Sequence, residues 1–313
     1  MTPSSTLEGQ IVAAIKGATK SVHMTMYILD NSSIVSALVD QINAGLDVEV
    51  VMNETFPTGT DESNPTTYST LNGAKAGTAV WRNGPPNATS GAYTHEKTFI
   101  IDGATAYIMT INLDTDSFED NREYVAIDTT AADVAEAEAV FTADFTGAST
   151  SDGAPLVVSP NNSRSALVAL IGTATKTLDV EVEEFSDNDT DGVTDAVAAA
   201  AKRGVTTRLI LANATASSTQ TTAVSTVKAA GVSVVVSGGA DGSSNSSDPY
   251  IHAKAITVDC SGTTCKSGFM GSENFTGGSL GYNRELGLVI TNVSQLALIE
   301  AAINTDFAAG TAQ

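Results

Sequence analysis

Tyr93-Thr-His95-Glu-Lys97-Thr-Phe-Ile-Ile-Asp102 and Tyr250-Ile-His252-Ala-Lys254-Ala-Ile-Thr-Val-Asp259 are two versions of one phrase, and their reading decides the architecture. The chain holds three histidines. Two of them sit at the matching place in this phrase, each followed two residues later by lysine and seven later by aspartate. On a strand, residues i and i+2 share a face, so each His-Lys pair is expected to project together into a cleft. Asp102 and Asp259 lie an odd number of positions away, which suits a buried anchoring role better than direct chemistry. Downstream come Met109-Thr110-Ile-Asn112 and Gly271-Ser272-Glu-Asn274, each ending in an amide that can donate to an anion's oxygen.

The repetition extends in both directions. Gln10 to Leu29 lines up with Ala166 to Phe185, an offset of 156 (166 minus 10), and both read as a helix running into a strand. Ile34 to Leu46 and Val193 to Gly204 are apolar-periodic helices followed by β-rich runs. Ser69 to Trp81 then matches Ser225 to Val236, and Asn121-Arg122-Glu123 matches Asn283-Arg284-Glu285. Helices alternating with strands predict an α/β fold of two pseudo-symmetric repeats, each a mixed β-sheet flanked by helices. The boundary is expected in the Ser-, Thr- and Gly-rich stretch from Gly147 to Asn162, giving repeats of residues 1–150 and 151–313. Long polar loops, 54–92 and 237–249, precede the His-Lys phrase in each half and are expected to frame its specificity.

Composition narrows the partners. With 15 Lys and Arg against 36 Asp and Glu, the formal charge is −21, so the overall field repels polyanions. No stable nucleic-acid partner is therefore expected, and an anionic substrate must be gripped locally. No apolar run reaches the length of a membrane span, and Met1 to Lys20 lacks the pattern of a signal peptide, so a soluble chain is expected. The only two cysteines, Cys260 and Cys265, flank a turn-like spacer and are expected to form a disulfide; free thiols are the alternative. A disulfide implies an oxidising compartment, which favours a secreted or periplasmic protein.

The paired phrase H-x-K-x4-D followed by G-S-x-N resembles the signature of the phospholipase D superfamily, in two copies covering nearly the whole chain. The second copy is complete, whereas the first has Met109 and Thr110 in place of Gly and Ser. The resemblance implies that the halves pack about a pseudo-twofold axis and that both phrases meet around one phosphate. It implies a catalytic set of His95, His252, Lys97, Lys254, Asn112, Asn274, Glu123 and Glu285, supported by Asp102, Asp259, Ser272 and Thr110. It also implies that His95 forms a covalent phosphohistidine, that His252 serves as general acid and then base, and that the glutamates of the Asn-Arg-Glu segments hold the histidines' other ring nitrogens. The alternative for Glu123 and Glu285 is surface pairing with Arg122 and Arg284. Physical chemistry agrees with the implied roles: lysines and amides are fixed donors for phosphoryl oxygens, and imidazole can act as nucleophile or, protonated, as acid.

The expected activity is that of a phospholipase D-like phosphodiesterase acting on phospholipid headgroups, with transfer to an added alcohol available to the same intermediate. A single-strand nuclease and a non-catalytic binding protein are the alternatives. No cofactor is expected for catalysis. The expected protein is a monomer whose contact with membrane surfaces is transient. One segment, Asp187-Asn-Asp189-Thr-Asp191-Gly192-Val-Thr-Asp195, matches the start of a calcium loop but has Ala198 at position twelve. It reads either as a structural calcium site or as an acidic cap of the following helix. His23, Trp81 and Met109 read as packing residues, and Tyr93 and Tyr250 as pocket walls.

Overall fold

In the computed structural model, which describes residues 1–57, 64–88, 91–149, 154–237 and 248–313, the repeat becomes two sheets of the same design. In the N-terminal half, Ser21–Met26 runs parallel to Asp47–Asn53, which runs parallel to Ala79–Arg82. On its other side Ser21–Met26 pairs antiparallel with Lys97–Ile101, followed by Thr105–Met109 and Val125–Asp128. The C-terminal half repeats this with Thr177–Val182 parallel to Thr206–Leu211 and that strand to Ser233–Val236. Thr177–Val182 is antiparallel to Lys254–Val258, then come Ser267–Gly271 and Glu285–Ile290. Val157–Ser159 and Thr311–Ala312 extend this second sheet at its two edges.

The strands are apolar on both faces because both faces are covered. Along Lys97–Ile101, Phe99 points outward into a cluster with Ile11, Ile15, Ile34 and Leu38 from the helices Leu7–Lys16 and Ser32–Asn43. Ile100, one residue on, points inward to a cluster drawn from both halves, including Ile108, Phe141, Ala255, Met270, Leu286 and Ile303. The long helices Ala131–Thr146 and Val293–Ala309 close the two repeats and contribute to that shared layer. Fusing the halves therefore buries apolar surface that neither could cover alone.

The helix starts have local causes. Asn31 and Asn292 cap the helices behind them by accepting from backbone N–H groups two and three residues on, and Ser217 caps Ser218–Ala229 by accepting from the Gln220 N–H. Asp102 and Asp259 end the strands that carry the motif, both in the left-handed region with φ of 56° and 53°. Each carboxylate accepts from backbone N–H groups at the start of the neighbouring strand: Thr19, Lys20 and Ser21 for Asp102, Thr175 and Lys176 for Asp259. Against the upward push of burial, the Thr19 hydroxyl and these N–H groups pull the Asp102 carboxyl down to about 2. The expected anchoring role thus takes place at a partly exposed strand end and not in the core. The disulfide Cys260–Cys265 closes the hairpin beyond Asp259. No helix among the described residues is long and apolar enough to cross a membrane.

Candidate active site

Each motif histidine falls in a break between two short strands. Tyr250–Ile251 pairs with Asn121–Arg122 of the other half, and Thr94 bridges to Arg284 in the same manner. His95 and His252 follow these bridges and precede the strands Lys97–Ile101 and Lys254–Val258. Sequence periodicity places the histidines on those strands; the structure places them two residues before, because the backbone first pairs across the halves. The His95 N–H donates to the Arg284 carbonyl at 2.9 Å, and the Arg284 N–H donates to Tyr93 at 2.9 Å.

This cross-pairing carries each glutamate of an Asn-Arg-Glu segment to the opposite histidine. Glu285 Oε2 lies 2.8 Å from His95 Nδ1, and Glu123 Oε1 lies 2.5 Å from His252 Nδ1. Both glutamates are buried, so they are not surface partners of the adjacent arginines. The arginines turn the other way. Arg284 forms a bidentate pair with Asp144 at 2.7 and 3.1 Å, and Arg122 pairs with Asp306 at 2.5 and 2.9 Å, each joining one half to the closing helix of the other.

Burial pushes the Glu285 carboxyl up, but His95 and Lys97 beside it outweigh that and hold the group below the usual carboxylate range. Glu123 is held down in the same way by His252 and Lys254. Burial, together with nearby Lys97 and Lys254, overcomes Glu285 and brings His95 down to about 4, leaving a neutral imidazole at physiological pH. Lys97 is brought to about 7, mainly by burial. Both motif lysines are fully buried, and each ammonium donates to the carbonyl of its own histidine, at 2.7 Å for Lys97.

The two rings open into one cleft of about 460 Å³, lined also by Asn112, Asn274, Tyr27, Tyr93, Glu183, Glu184 and Tyr282. His95, His252, Asn112 and Asn274 are thus brought together, with Lys97 and Lys254 beneath the histidines. Thr110 and Ser272 lie behind the site. The Thr110 hydroxyl donates to Glu123 and accepts from the Tyr124 N–H at 2.9 Å; the Ser272 hydroxyl accepts from the Leu286 N–H at 3.0 Å. Both hydroxyls thus accept from the backbone N–H that follows the Asn-Arg-Glu segment, but only Thr110 also donates to its glutamate; Glu285 receives the Ser279 hydroxyl instead, at 2.7 Å. Met109 fills core volume where Gly271 has none to give: a Cβ on Gly271 would meet Gly287 Cα at 2.5 Å. Much of loop 237–249 and part of 54–92 lie outside the described residues.

The acidic segment of the second half lies apart from this cleft. Asp187 is buried, accepts from the Val193 N–H at 2.9 Å at the start of the helix, and pairs with Arg164, which also contacts Asp189 at 2.8 Å. Asp191 donates its N–H to Asp195. An arginine thus supplies the positive charge at Asp187 and Asp189, and a calcium ion would have to displace it. No three of these four carboxylates converge to ligating distance.

Three participants escaped sequence reasoning: Glu183, Asp144 and Glu96. Glu183 was visible as the residue opposite Tyr27 in the repeat alignment, and Asp144 matches Asp306 in the closing helices. Glu96 lies between His95 and Lys97, is buried, and leaves one carboxylate oxygen without a hydrogen-bond partner. Burial, reinforced by Asp144, pushes its carboxyl up to about 8. The folded protein therefore binds a proton there that the unfolded chain releases near pH 4.5, so the penalty is absent below that value, grows as pH rises, and levels off above about 8. Replacing Glu96 by Gln is expected to change stability by less than about 1 kcal/mol at pH 5 and to raise it at pH 9 by on the order of 2 to 4 kcal/mol. Paired melts at the two pH values check this; an equal change at both would refute it.

Residues 11–145 and 167–307 each match the family described as "Cardiolipin synthase, PLD-like domain". Among solved structures, polyphosphate kinase from Porphyromonas gingivalis is similar with a TM-score of 0.70 at 16% identity, covering 97% of this chain and 45% of the kinase. Phosphatidylserine synthase from Haemophilus influenzae Rd KW20 has a TM-score of 0.66 at 13% identity, covering 98% of this chain and 85% of its own. Nuc, a phospholipase D family member from Salmonella typhimurium, is 22% identical over 50% of this chain and 95% of its own, with a TM-score of 0.42. No curated protein matches this chain. At these identities the structural likenesses concern the fold.

Proposed function

Because the chain belongs to the phospholipase D-like family, we propose that it hydrolyses phosphodiesters, with a phospholipid headgroup as the leaving alcohol, through a covalent phosphohistidine. The observation that carries this reading is the pair of imidazoles opening into one cleft, each held through Nδ1 by the other half's glutamate.

In this reading His95, neutral at physiological pH, attacks phosphorus with Nε2 while Glu285 holds the Nδ1 proton and steadies the developing imidazolium. His252, hydrogen-bonded to Glu123, protonates the departing alkoxide as the phosphorus–oxygen bond breaks. It then takes a proton from the water that cleaves the phosphorus–nitrogen bond. In this reading the non-bridging oxygens are held by Asn112 and Asn274, which line the cleft, and by Lys97 and Lys254, whose ammoniums lie against the histidine carbonyls. An alcohol in place of water would give transfer, the reaction type implied by the synthase in the family's description. The proposal includes a protein exported as a monomer to an oxidising compartment, in keeping with the disulfide, with transient contact at lipid surfaces and no resident metal in catalysis.

Liposomes carrying several headgroups should yield phosphatidic acid and free alcohol. Cleavage of labelled single-stranded DNA or RNA at low salt, with no phosphatidic acid from any liposome, would replace this reading by the nuclease. The formal charge of −21 favours the lipid, since polynucleotide affinity draws on basic contacts.

A further inference from the structure

The repeat is broken at one position inside the cleft. Where the first half has Tyr27, the second has Glu183, and the two lie at equivalent ends of equivalent strands, Ser21–Met26 and Thr177–Val182. The consequences differ in kind. The Tyr27 ring stands 4.6 Å from the His95 ring and lies over the Lys97 ammonium at 5.1 Å. Among the described residues no carboxylate forms an ion pair with Lys97. In the second half, a single oxygen of Glu183 gathers the donors that a phosphoryl oxygen would use. Oε2 accepts from Lys254 Nζ at 2.9 Å and from Asn274 Nδ2 at 3.2 Å, and lies 3.4 Å from His252 Nε2. The other oxygen, Oε1, accepts from the Tyr250 hydroxyl at 3.1 Å, and the Glu183 N–H is fixed to the Ala253 carbonyl at 3.1 Å.

We propose that Glu183 is a specificity-determining residue that cancels the charge of Lys254 and so restricts the cleft to phosphodiester monoanions, excluding dianionic phosphomonoesters and inorganic phosphate. The proposal rests on the phosphodiesterase reading and deepens it. A carboxylate within a few ångströms of the bound phosphorus repels each negative charge on the ligand, so its effect on a dianion is about twice that on a monoanion. The group is ionised: burial pushes it up, but His252 and Lys254 hold it far below the usual carboxylate range. A diester then brings a single negative charge to the cleft, half the charge that Glu183 opposes in a dianion. A phosphomonoester is refused as a ligand, and released if it forms as a product.

The test is equilibrium binding by calorimetry at pH 8, with inorganic phosphate as the dianion and dimethyl phosphate as the monoanion, on the native protein, Glu183→Gln and a surface control outside the cleft, Asp40→Asn, whose carboxylate pairs with exposed Lys16. In the native protein dimethyl phosphate is expected to bind at least as tightly as inorganic phosphate. In E183Q inorganic phosphate is expected to bind at least about tenfold tighter, and to gain more than dimethyl phosphate does. D40N should change both affinities less than about twofold. The proposal is overturned if E183Q leaves phosphate binding unchanged or tightens both ligands equally. A native protein that prefers the dianion overturns it as well, which decides the matter even should E183Q fail to fold. These are binding measurements, so a native protein that shows the expected preference yet cleaves no diester would remove the phosphodiesterase reading and leave the charge selection standing.

Discussion

Replacing His95 by asparagine is expected to lower turnover of a generic diester such as bis(p-nitrophenyl) phosphate by at least about a thousandfold, because it removes the atom proposed to bond to phosphorus. Replacing His252 by asparagine removes an acid and base, whose contribution is typically about 10² to 10⁴. The two losses should also differ in kind. In H252N the first step can still proceed with an activated leaving group such as p-nitrophenolate, which needs little protonation, while attack by water is slowed. A p-nitrophenylphosphoryl group should therefore accumulate on His95, detectable as a mass increase on the peptide after non-acidic quenching. Asparagine preserves a polar group near Glu285 or Glu123, so folding is expected to survive, as circular dichroism would verify. Equal activity in all three proteins would remove the mechanism, and the same group trapped on His252 in H95N would reverse the two roles.

The second large effect concerns the joint between the halves. Arg284 and Asp144 are both fully buried, and the guanidinium also donates to the Ser159 carbonyl at 2.8 Å. Replacing Arg284 by Met leaves the Asp144 carboxylate without its counter-ion in the interior, which is expected to cost about 3 to 5 kcal/mol in chemical denaturation. A double variant, Arg284→Met with Asp144→Leu, should recover much of that loss, since no orphaned charge remains. A single-variant loss below about 1 kcal/mol would show that water or a rearranged partner reaches Asp144. Activity in R284M should fall as well, because Glu285 and the Arg284 carbonyl that accepts from the His95 N–H share this segment.

Two contributions of the Asn-Arg-Glu segments separate what is local from what is not. Their recurrence in both halves marked them for attention, and the family resemblance implied that their glutamates serve the histidines. Which glutamate serves which histidine depends on the parallel bridges between the halves, at Tyr250 with Asn121 and at Thr94 with Arg284. Backbone pairing between segments more than a hundred residues apart has no local signal in the sequence. The same limit hid Asp144 and Asp306. Neither is the only carboxylate of its alanine-rich helix, and its meaning appears only when the opposing arginine arrives.

The acidic segment at Asp187 has the spacing of a cation loop, and spacing does not say which cation; in the structure Arg164 from the preceding helix pairs with Asp187 and Asp189.

Taken alone, the sequence determined the α/β class, the twofold repeat, and the histidines, lysines and amides of the site, because these rest on periodicity and on residue chemistry repeated at matched positions. Tertiary structure alone decided the exchange of glutamates and arginines between the halves, the burial that lowers His95 and raises Glu96, and the arrival of Glu183 on Lys254. Each of these depends on distance and desolvation, which follow from how the two sheets pack and not from the order of residues along either one.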